Sequence, residues 1–172
     1  MDQKKPTKYY SSRQERMIAD YLGWSVVSGS GARAFNPGDI TSNSFLGECK
    51  TFTEKSDTIY CYNRVWDKIC KEAKSVMKCP VLFIDNGTQD PNHTWCVIPK
   101  TFMESVHNST IVEGTSSLRV SKTRVSFSDS VMQSEFKMYQ KSVVGDAISV
   151  SFMLSGDIVV LIPLHTLKIV TE

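Results

Sequence analysis

The sequence has no long apolar run, no paired cysteine motif and no large excess of charge of either sign. Its longest apolar stretch, Ile158 to Leu164, is far shorter than the roughly 20 residues that a membrane-spanning helix needs. The five cysteines include no CxxC pair, and this pattern fits neither a disulfide framework nor a zinc site. No apolar segment follows the lysines at the N-terminus, so we expect a soluble cytoplasmic protein with no membrane partner.

The formal charge of the 172-residue chain is only +2, which by itself does not indicate nucleic-acid binding. The distribution of charge is more informative, because the first 16 residues carry five basic side chains against two acidic ones. A basic arm of this kind can lie along DNA phosphates, or it can be a solvated tail. The basic side chains with this candidate role are Lys4, Lys5, Lys8, Arg13 and Arg16.

Hydrophobic spacing in the first half of the chain predicts helices and strands in alternation. Residues 11–22 predict a helix capped by Ser11 or Ser12 and ended by Gly23. A glycine-rich loop and a short hairpin follow it. Residues 63–77 predict a second helix, since their apolar side chains form one stripe opposite a charged face.

The second half of the chain is richer in predicted strands. Residues 79–85 and 94–98 predict strands, and Pro99 opens a short helix that reaches Val106. Residues 107–130 are rich in serine and threonine and predict a long loop or a peripheral strand. Residues 147–154 and 157–163 predict two strands paired through Ser155 and Gly156.

The residues with the clearest chemistry lie in the hairpin that begins at Asp39 and ends at Lys50. Successive side chains of a strand point to opposite faces, so Glu48 and Lys50 share one face while Cys49 points away, into the core. Asp39 begins the partner strand, and the hairpin can bring it beside Glu48. Two carboxylates and an ammonium group would then converge on one point.

This combination of groups suits the hydrolysis of a phosphodiester. A magnesium ion held by Asp39 and Glu48, for which manganese can substitute, would neutralise phosphate charge and acidify a water molecule. Lys50 could position that water and stabilise the charge of the transition state. Magnesium usually takes only one or two protein carboxylates, so this small set of ligands is sufficient.

Asp39, eight intervening residues and then Glu48-Cys-Lys50 resemble the motif of the PD-(D/E)xK nuclease superfamily. The surrounding order is also similar to that of archaeal and phage-type Holliday junction resolvases. It comprises a helix with Glu15, a strand, the loop of residues 28–33, the hairpin and an amphipathic helix. The resemblance covers about residues 10 to 98 and leaves the last part of the chain without a counterpart.

The resemblance implies a role for each matching position. Glu15 would reach the metal site from the first helix, Asp39 and Glu48 would be direct metal ligands, and Lys50 would be the catalytic lysine. The main-chain oxygen of Cys49 would complete the metal shell. Two loop residues and one helix residue are further candidates for contact with the scissile phosphate or the DNA, namely Ser30, Arg33 and Lys68. Arg33 can equally well face solvent.

Other functions fit the sequence less well. The loop from Gly29 to Ala34 matches a loose dinucleotide-binding pattern, but Pro37 and Gly38 break the helix which that pattern requires. A nuclease for another DNA form (restriction-like, nicking or repair) remains an alternative. A non-catalytic DNA-binding module on the same fold and a subunit docked through residues 107–172 are also left open.

We therefore expect an α/β protein with a restriction-endonuclease-like fold, in which helices flank a central mixed sheet of about five strands. A basic arm (1–9), a nuclease core (10–106) and a β-rich C-terminal extension packed on the core (107–172) would make up the chain. The expected substrate is branched DNA, most specifically a four-way junction. Two symmetry-related cuts then call for a homodimer.

Overall fold

The computed structural model describes residues 5–29 and 36–172. The sequence-based roles of Lys4, Ser30 and Arg33 concern residues that lie outside this described part.

The described chain contains five α-helices, one short 3-10 turn and eleven strands. The helices are α1 (Thr7–Leu22), α2 (Asn63–Ser75), α3 (Lys100–Glu104), α4 (Asp129–Ser142) and α5 (Leu164–Thr171), and the 3-10 turn is Pro91–His93. The strands are β1 (Ser25–Val26), β2 (Ile40–Thr41), β3 (Phe45–Lys50), β4 (Thr58–Tyr62), β5 (Cys79–Asp85), β6 (Thr94–Pro99), β7 (Ser109–Glu113), β8 (Arg119–Val120), β9 (Arg124–Ser128), β10 (Ala147–Leu154) and β11 (Asp157–Pro163).

The architecture is α/β, with a mixed sheet flanked by helices. Eight strands form this sheet in the order β1-β2-β3-β5-β6-β11-β10-β7. The β3–β5 and β10–β7 pairs are parallel and the other pairs are antiparallel. A smaller sheet has the order β4-β9-β8. The expectation of about five central strands was therefore too low.

The additional strands of the central sheet come from the C-terminal part of the chain. Strand β11 pairs with β6 from Val159–Pro99 to Pro163–Trp95, so the sheet continues across the boundary that the sequence suggested after residue 106. The hairpin of β10 and β11 turns at Ser155 and Gly156 as predicted. Residues 107–130, for which the sequence predicted a long loop or a peripheral strand, contain β7, which closes the far edge of the sheet beside β10.

The central strands bury side chains on both faces of the sheet. Leu82 and Ile84 pack with Trp66 of α2 in one cluster. Val81 and Phe83, which alternate with them, pack with Ile18 of α1 in the other. Alternation of this kind places α1 and α2 on opposite faces of β3 and β5, and the middle of each helix reaches the predicted site.

Helix α1 begins earlier than the sequence suggested. It starts at Thr7 after Pro6, with no side chain capping its first turn. The expected caps were wrong because Ser11 already lies inside the helix, where its hydroxyl donates to the carbonyl oxygen of Thr7 at 3.4 Å. Lys8 therefore belongs to the helix rather than to an extended arm.

Helix α4 was not predicted at all. Ser128 caps it by accepting a hydrogen bond from the backbone N–H of Val131 at 3.2 Å. Met132, Phe136 and Tyr139 then pack on one of the two core clusters, and their spacing of four and three residues is that of a helix face. Among the described helices, none is both long and apolar enough to cross a membrane.

Substitution of Gly47 tests how tightly β2, β3 and β5 pack together. A β-carbon at this position would lie 2.5 Å from the Phe83 ring and 2.9 Å from the Ile40 side chain. We expect Gly47→Ala to lower the free energy of unfolding by about 1–3 kcal/mol, as overpacked cores do. Urea denaturation measures this change, and Val120→Ala, at a side chain that is 70 % exposed, is the control. Equal stabilities of the two variants would contradict the register described here.

Candidate active site

The hairpin of β2 and β3 brings Asp39 beside Glu48, as the sequence predicted. The backbone N–H of Asp39 donates to the carbonyl oxygen of Gly47 at 2.8 Å, and Ile40 is paired with Gly47. The Asp39 carboxylate in turn accepts the backbone N–H of Cys49 at 2.8 Å. This side chain is therefore held against the outgoing strand at the level of Glu48.

Glu48 is the buried centre of the site. Its side chain is only 3 % exposed, and its two carboxylate oxygens accept hydrogen bonds from Lys50 Nζ at 2.6 Å and from Lys68 Nζ at 2.9 Å. The ammonium-bearing side chains of Lys50 and Lys68 are about half exposed. They therefore cover the carboxylate from the solvent side.

Cys49 points to the opposite face of β3, as expected from strand geometry. It is 5 % exposed and packs in the same cluster as Ile18 and Phe83. Burial, with the nearby carboxylates of Asp39 and Glu15, raises the pKa of its thiol well above the ordinary value. A thiol of this kind stays protonated and is a poor nucleophile.

Helix α1 contributes Glu15 to the same region. The neighbouring Gln14 is fully buried and donates through Nε2 to the main-chain oxygen of Lys50 at 2.7 Å, which joins the helix to the end of β3. Burial raises the pKa of Glu15 to about 7, with further increases from the charges of Asp39 and Glu48, while Lys50 opposes the shift.

The pKa of the Asp39 carboxyl group is raised as well. Burial raises its pKa first, and the charge of Glu48 raises it further. The hydrogen bond from the Cys49 backbone and the charges of Lys50 and Lys68 act in the opposite direction. Burial is therefore the main reason that the pKa values of Glu15 and Asp39 are raised, and the negative charge of neighbouring carboxylates adds to it.

The backbone before Asp39 is held by α2. Gly38 has a φ of 72°, which favours glycine, and its N–H donates to Glu72 Oε2 at 2.8 Å. A β-carbon at Gly38 would lie 2.7 Å from Leu46. The other oxygen of Glu72 lies 3.6 Å from Lys68 Nζ. Two residues of α2, one helical turn apart, therefore contact the backbone at Gly38 and the carboxylate of Glu48.

The site therefore carries more carboxylates than ammonium groups. The acidic side chains are Glu15, Asp39, Glu48 and Glu72, and the basic ones are Lys50 and Lys68. Such a donor set matches a hard divalent cation, which prefers oxygen ligands. A cation that binds Glu48 would share the carboxylate with Lys50 and Lys68, each of which already contacts one of its oxygens.

The number of protein ligands available to a metal is small. Within residues 5–29 and 36–172, no group of three or more histidine, cysteine, aspartate or glutamate side chains is placed to hold a metal ion together. Magnesium is commonly held by one or two carboxylates and several waters. Asp39 and Glu48 fit that smaller requirement, and their ligand roles stay predictions, as do those of Glu15 and of the Cys49 main-chain oxygen.

Comparison with protein-family models, with curated proteins and with solved structures found no match.

Sequence reasoning missed three residues that support the site. Gln14 could have been found, because it precedes Ile18 by four residues and so shares the buried face of α1. Glu72 lies in the second predicted helix, and no role was predicted for it. Asp85, at the end of β5, accepts hydrogen bonds from Thr51 Oγ1 at 2.6 Å and from the backbone N–H of Gly87 at 2.9 Å, and no local pattern marks this contact.

Among the described basic residues near the N-terminus, three lie along one groove of α1 and one lies against an aromatic ring. Lys8, Arg13 and Arg16 line an open groove of about 620 Å³ along α1. Lys5 instead places its Nζ 4.2 Å from the centre of the Tyr9 ring. Lys68 lies in the acidic cluster rather than on this groove.

The raised pKa of Glu15 predicts a dependence of stability on pH. Its pKa is 4.5 unperturbed and about 7 in the folded chain, so ionisation disfavours folding increasingly as the pH rises from 4.5 to 7. We expect Glu15→Gln to raise the melting temperature at pH 8, without divalent metal, by about 2–4 °C, after allowance for solvent screening. The two proteins should melt alike at pH 4.

Differential scanning calorimetry at both pH values measures this effect. Glu104→Gln makes the same chemical change at an exposed residue of α3 and should leave the melting temperature unchanged at both. A Glu15→Gln protein that is less stable than the wild type at pH 8 would contradict the electrostatic description of the cluster.

Proposed function

We propose that this chain is a metal-dependent DNA endonuclease of the PD-(D/E)xK type, with a restriction-endonuclease-like fold. The observation that carries the proposal is the convergence of Asp39, Glu48 and Lys50 at one end of a mixed sheet. Asp39 lies against the backbone of Cys49, and Glu48 accepts a hydrogen bond from Lys50. Helix α1 adds Glu15 to the same negative cluster.

The proposed reaction is hydrolysis of a DNA phosphodiester. The oxygen of a water molecule bonds to phosphorus, and the bond from phosphorus to the 3′ oxygen breaks. The 3′ oxygen takes up a proton, so the products carry a 5′-phosphate and a 3′-hydroxyl. Asp39 and Glu48 would hold a magnesium or manganese ion, which would supply positive charge to the phosphate and acidify a water molecule.

The residues of the chain supply positioning and charge. Lys50 is half exposed beside Glu48, so its ammonium group can leave the carboxylate and donate to a phosphate oxygen or to the attacking water. Lys68 stays close to Glu48 and Glu72 and donates a hydrogen bond to the second oxygen of the buried Glu48 carboxylate. Gln14 holds the main chain of Lys50 and so orients the catalytic lysine.

The proposed substrate is branched DNA, with the four-way junction as the preferred form. The groove along α1 with Lys8, Arg13 and Arg16 offers a surface for the phosphates of one arm. Resolution of a junction needs two symmetry-related cuts, which a homodimer provides.

Cleavage of a labelled four-way junction with magnesium tests this function directly. We expect the wild type to make paired symmetrical cuts and Asp39→Asn and Glu48→Gln to lower the rate at least about 100-fold, since each removes a proposed ligand charge. Lys50→Met should lower the rate by a similar factor. Glu104→Gln, the same chemical change at an exposed residue, is the control.

A matched linear duplex separates the alternatives. If the junction and the linear duplex are cut equally, the nuclease function is supported and the proposed preference for junctions is overturned. Binding of the junction without cutting would favour a non-catalytic DNA-binding module, an outcome for which the two lysines on Glu48 offer a structural basis.

The basic groove gives a prediction about salt. Arg13→Ala combined with Arg16→Ala should weaken junction binding and reduce the slope of log K against log salt by about two, because about one counterion is released for each phosphate contact. Fluorescence anisotropy over a range of salt concentrations measures the slope. The combination of Lys137→Ala and Lys141→Ala, two exposed lysines on α4, should leave it unchanged.

A further inference from the structure

A pocket adjoins the acidic cluster on the side of the smaller sheet. It encloses about 510 Å³ and opens to solvent. Its lining includes three charged side chains of the candidate active site and three aromatic side chains, which are Glu48, Lys50, Lys68, Phe52, Tyr60 and Tyr62. We call this space the tyrosine pocket. Its volume lies within the range of about 300–1,000 Å³ that is typical of small-ligand sites.

Strand β4 places the two tyrosines on the pocket side. Ile59 and Cys61 are fully buried in the core, so the alternating residues Tyr60 and Tyr62 take the opposite face of the strand. Their ring centres are 6.1 Å apart, with 33° between the ring planes. Both side chains are half-buried, so they are not simply part of the core.

Arg124 of β9 holds these rings in place. It is paired with Tyr62 across the two strands and donates through Nη1 to the Tyr62 hydroxyl at 3.2 Å. Its guanidinium lies 4.2 Å from the centre of the Tyr60 ring, a cation–π contact. Arg64, at the start of α2, lines the pocket and lies 5.5 Å from the Tyr62 ring. Two arginine side chains therefore lie against the tyrosine rings of the pocket.

These features match one kind of ligand. A nucleobase stacks on aromatic rings and on arginine planes, and its attached phosphate is attracted by nearby cations. In the tyrosine pocket the rings of Tyr60 and Tyr62 line the same space as the ammonium-bearing side chains of Lys50 and Lys68. An apolar ligand would use the rings and leave the charges without a role.

We propose that the tyrosine pocket binds the base of an unpaired nucleotide next to the scissile phosphate. The inference rests on the proposed nuclease function and narrows its substrate class. A base inside a duplex cannot reach a pocket of this kind without leaving the stack. The preferred DNA therefore carries an unpaired or easily unstacked nucleotide at the cleavage point, as branched DNA does where its arms meet.

Binding to a bulged duplex tests the pocket without any need for cleavage. The full chain is titrated, without divalent metal, into duplexes that carry one unpaired nucleotide, either 2-aminopurine or an abasic residue. We expect wild type to bind the 2-aminopurine bulge about 5- to 150-fold more tightly than the abasic one, and to quench the fluorescence of the base through stacking.

Variants of Tyr60 assign the preference to the pocket. Tyr60→Ala should bind both duplexes equally, at the affinity that wild type has for the abasic one, whereas Tyr60→Phe keeps the ring and should keep the preference. Met138→Ala, at an exposed residue of α4, is the control. Wild type that binds both duplexes equally, or a preference that survives Tyr60→Ala, overturns the inference.

Cleavage of the same bulged duplexes with magnesium separates this inference from the proposed function. If the wild type cuts both duplexes at the same rate and binds them equally, the proposed nuclease function stands and the proposal that the tyrosine pocket binds a base is overturned. A preference for the base in a chain that cuts no DNA overturns the nuclease and, with it, the link to a scissile phosphate.

Discussion

Burial of the Glu48 carboxylate between two lysines is the interaction on which this end of the sheet depends. An isolated buried carboxylate is costly, and its burial is tolerated only when opposite charges and hydrogen bonds satisfy it. Lys50 comes from the same strand and Lys68 from α2. One buried charge therefore joins the hairpin to the helix on one face of the sheet, while Gln14 joins the same strand to α1 on the other.

The site remains electrostatically unbalanced after these contacts. The raised pKa values of Glu15 and Asp39 show that two acids sit where burial and like charge disfavour ionisation. Proteins keep such arrangements at functional sites, where a ligand supplies the missing charge. A divalent cation would supply it here, and so the feature that lowers the stability of the metal-free chain is the one that would give it affinity for a metal.

Local sequence patterns predicted the parts of the site that lie on one hairpin. The two-residue period of β3 was enough to put Glu48 and Lys50 on one face and Cys49 on the other. Residues brought together by long-range folding were not predictable in this way. The partnership of Gln14 with Lys50 spans 36 residues, and the pairing of β11 with β6 joins distant parts of the chain. The tyrosines of β4 share a pocket with Lys50 only because α2 and the smaller sheet fold over it.

Calorimetric titration with manganese tests most directly whether the acidic cluster is a cation site. The full chain should bind one ion at the cluster, and Asp39→Asn should weaken that binding at least about tenfold, which corresponds to 1.4 kcal/mol. The matched variant Asp67→Asn, at an exposed aspartate of α2, should bind manganese as the wild type does. Equal affinity in wild type and Asp39→Asn, or no binding by either, would contradict the account.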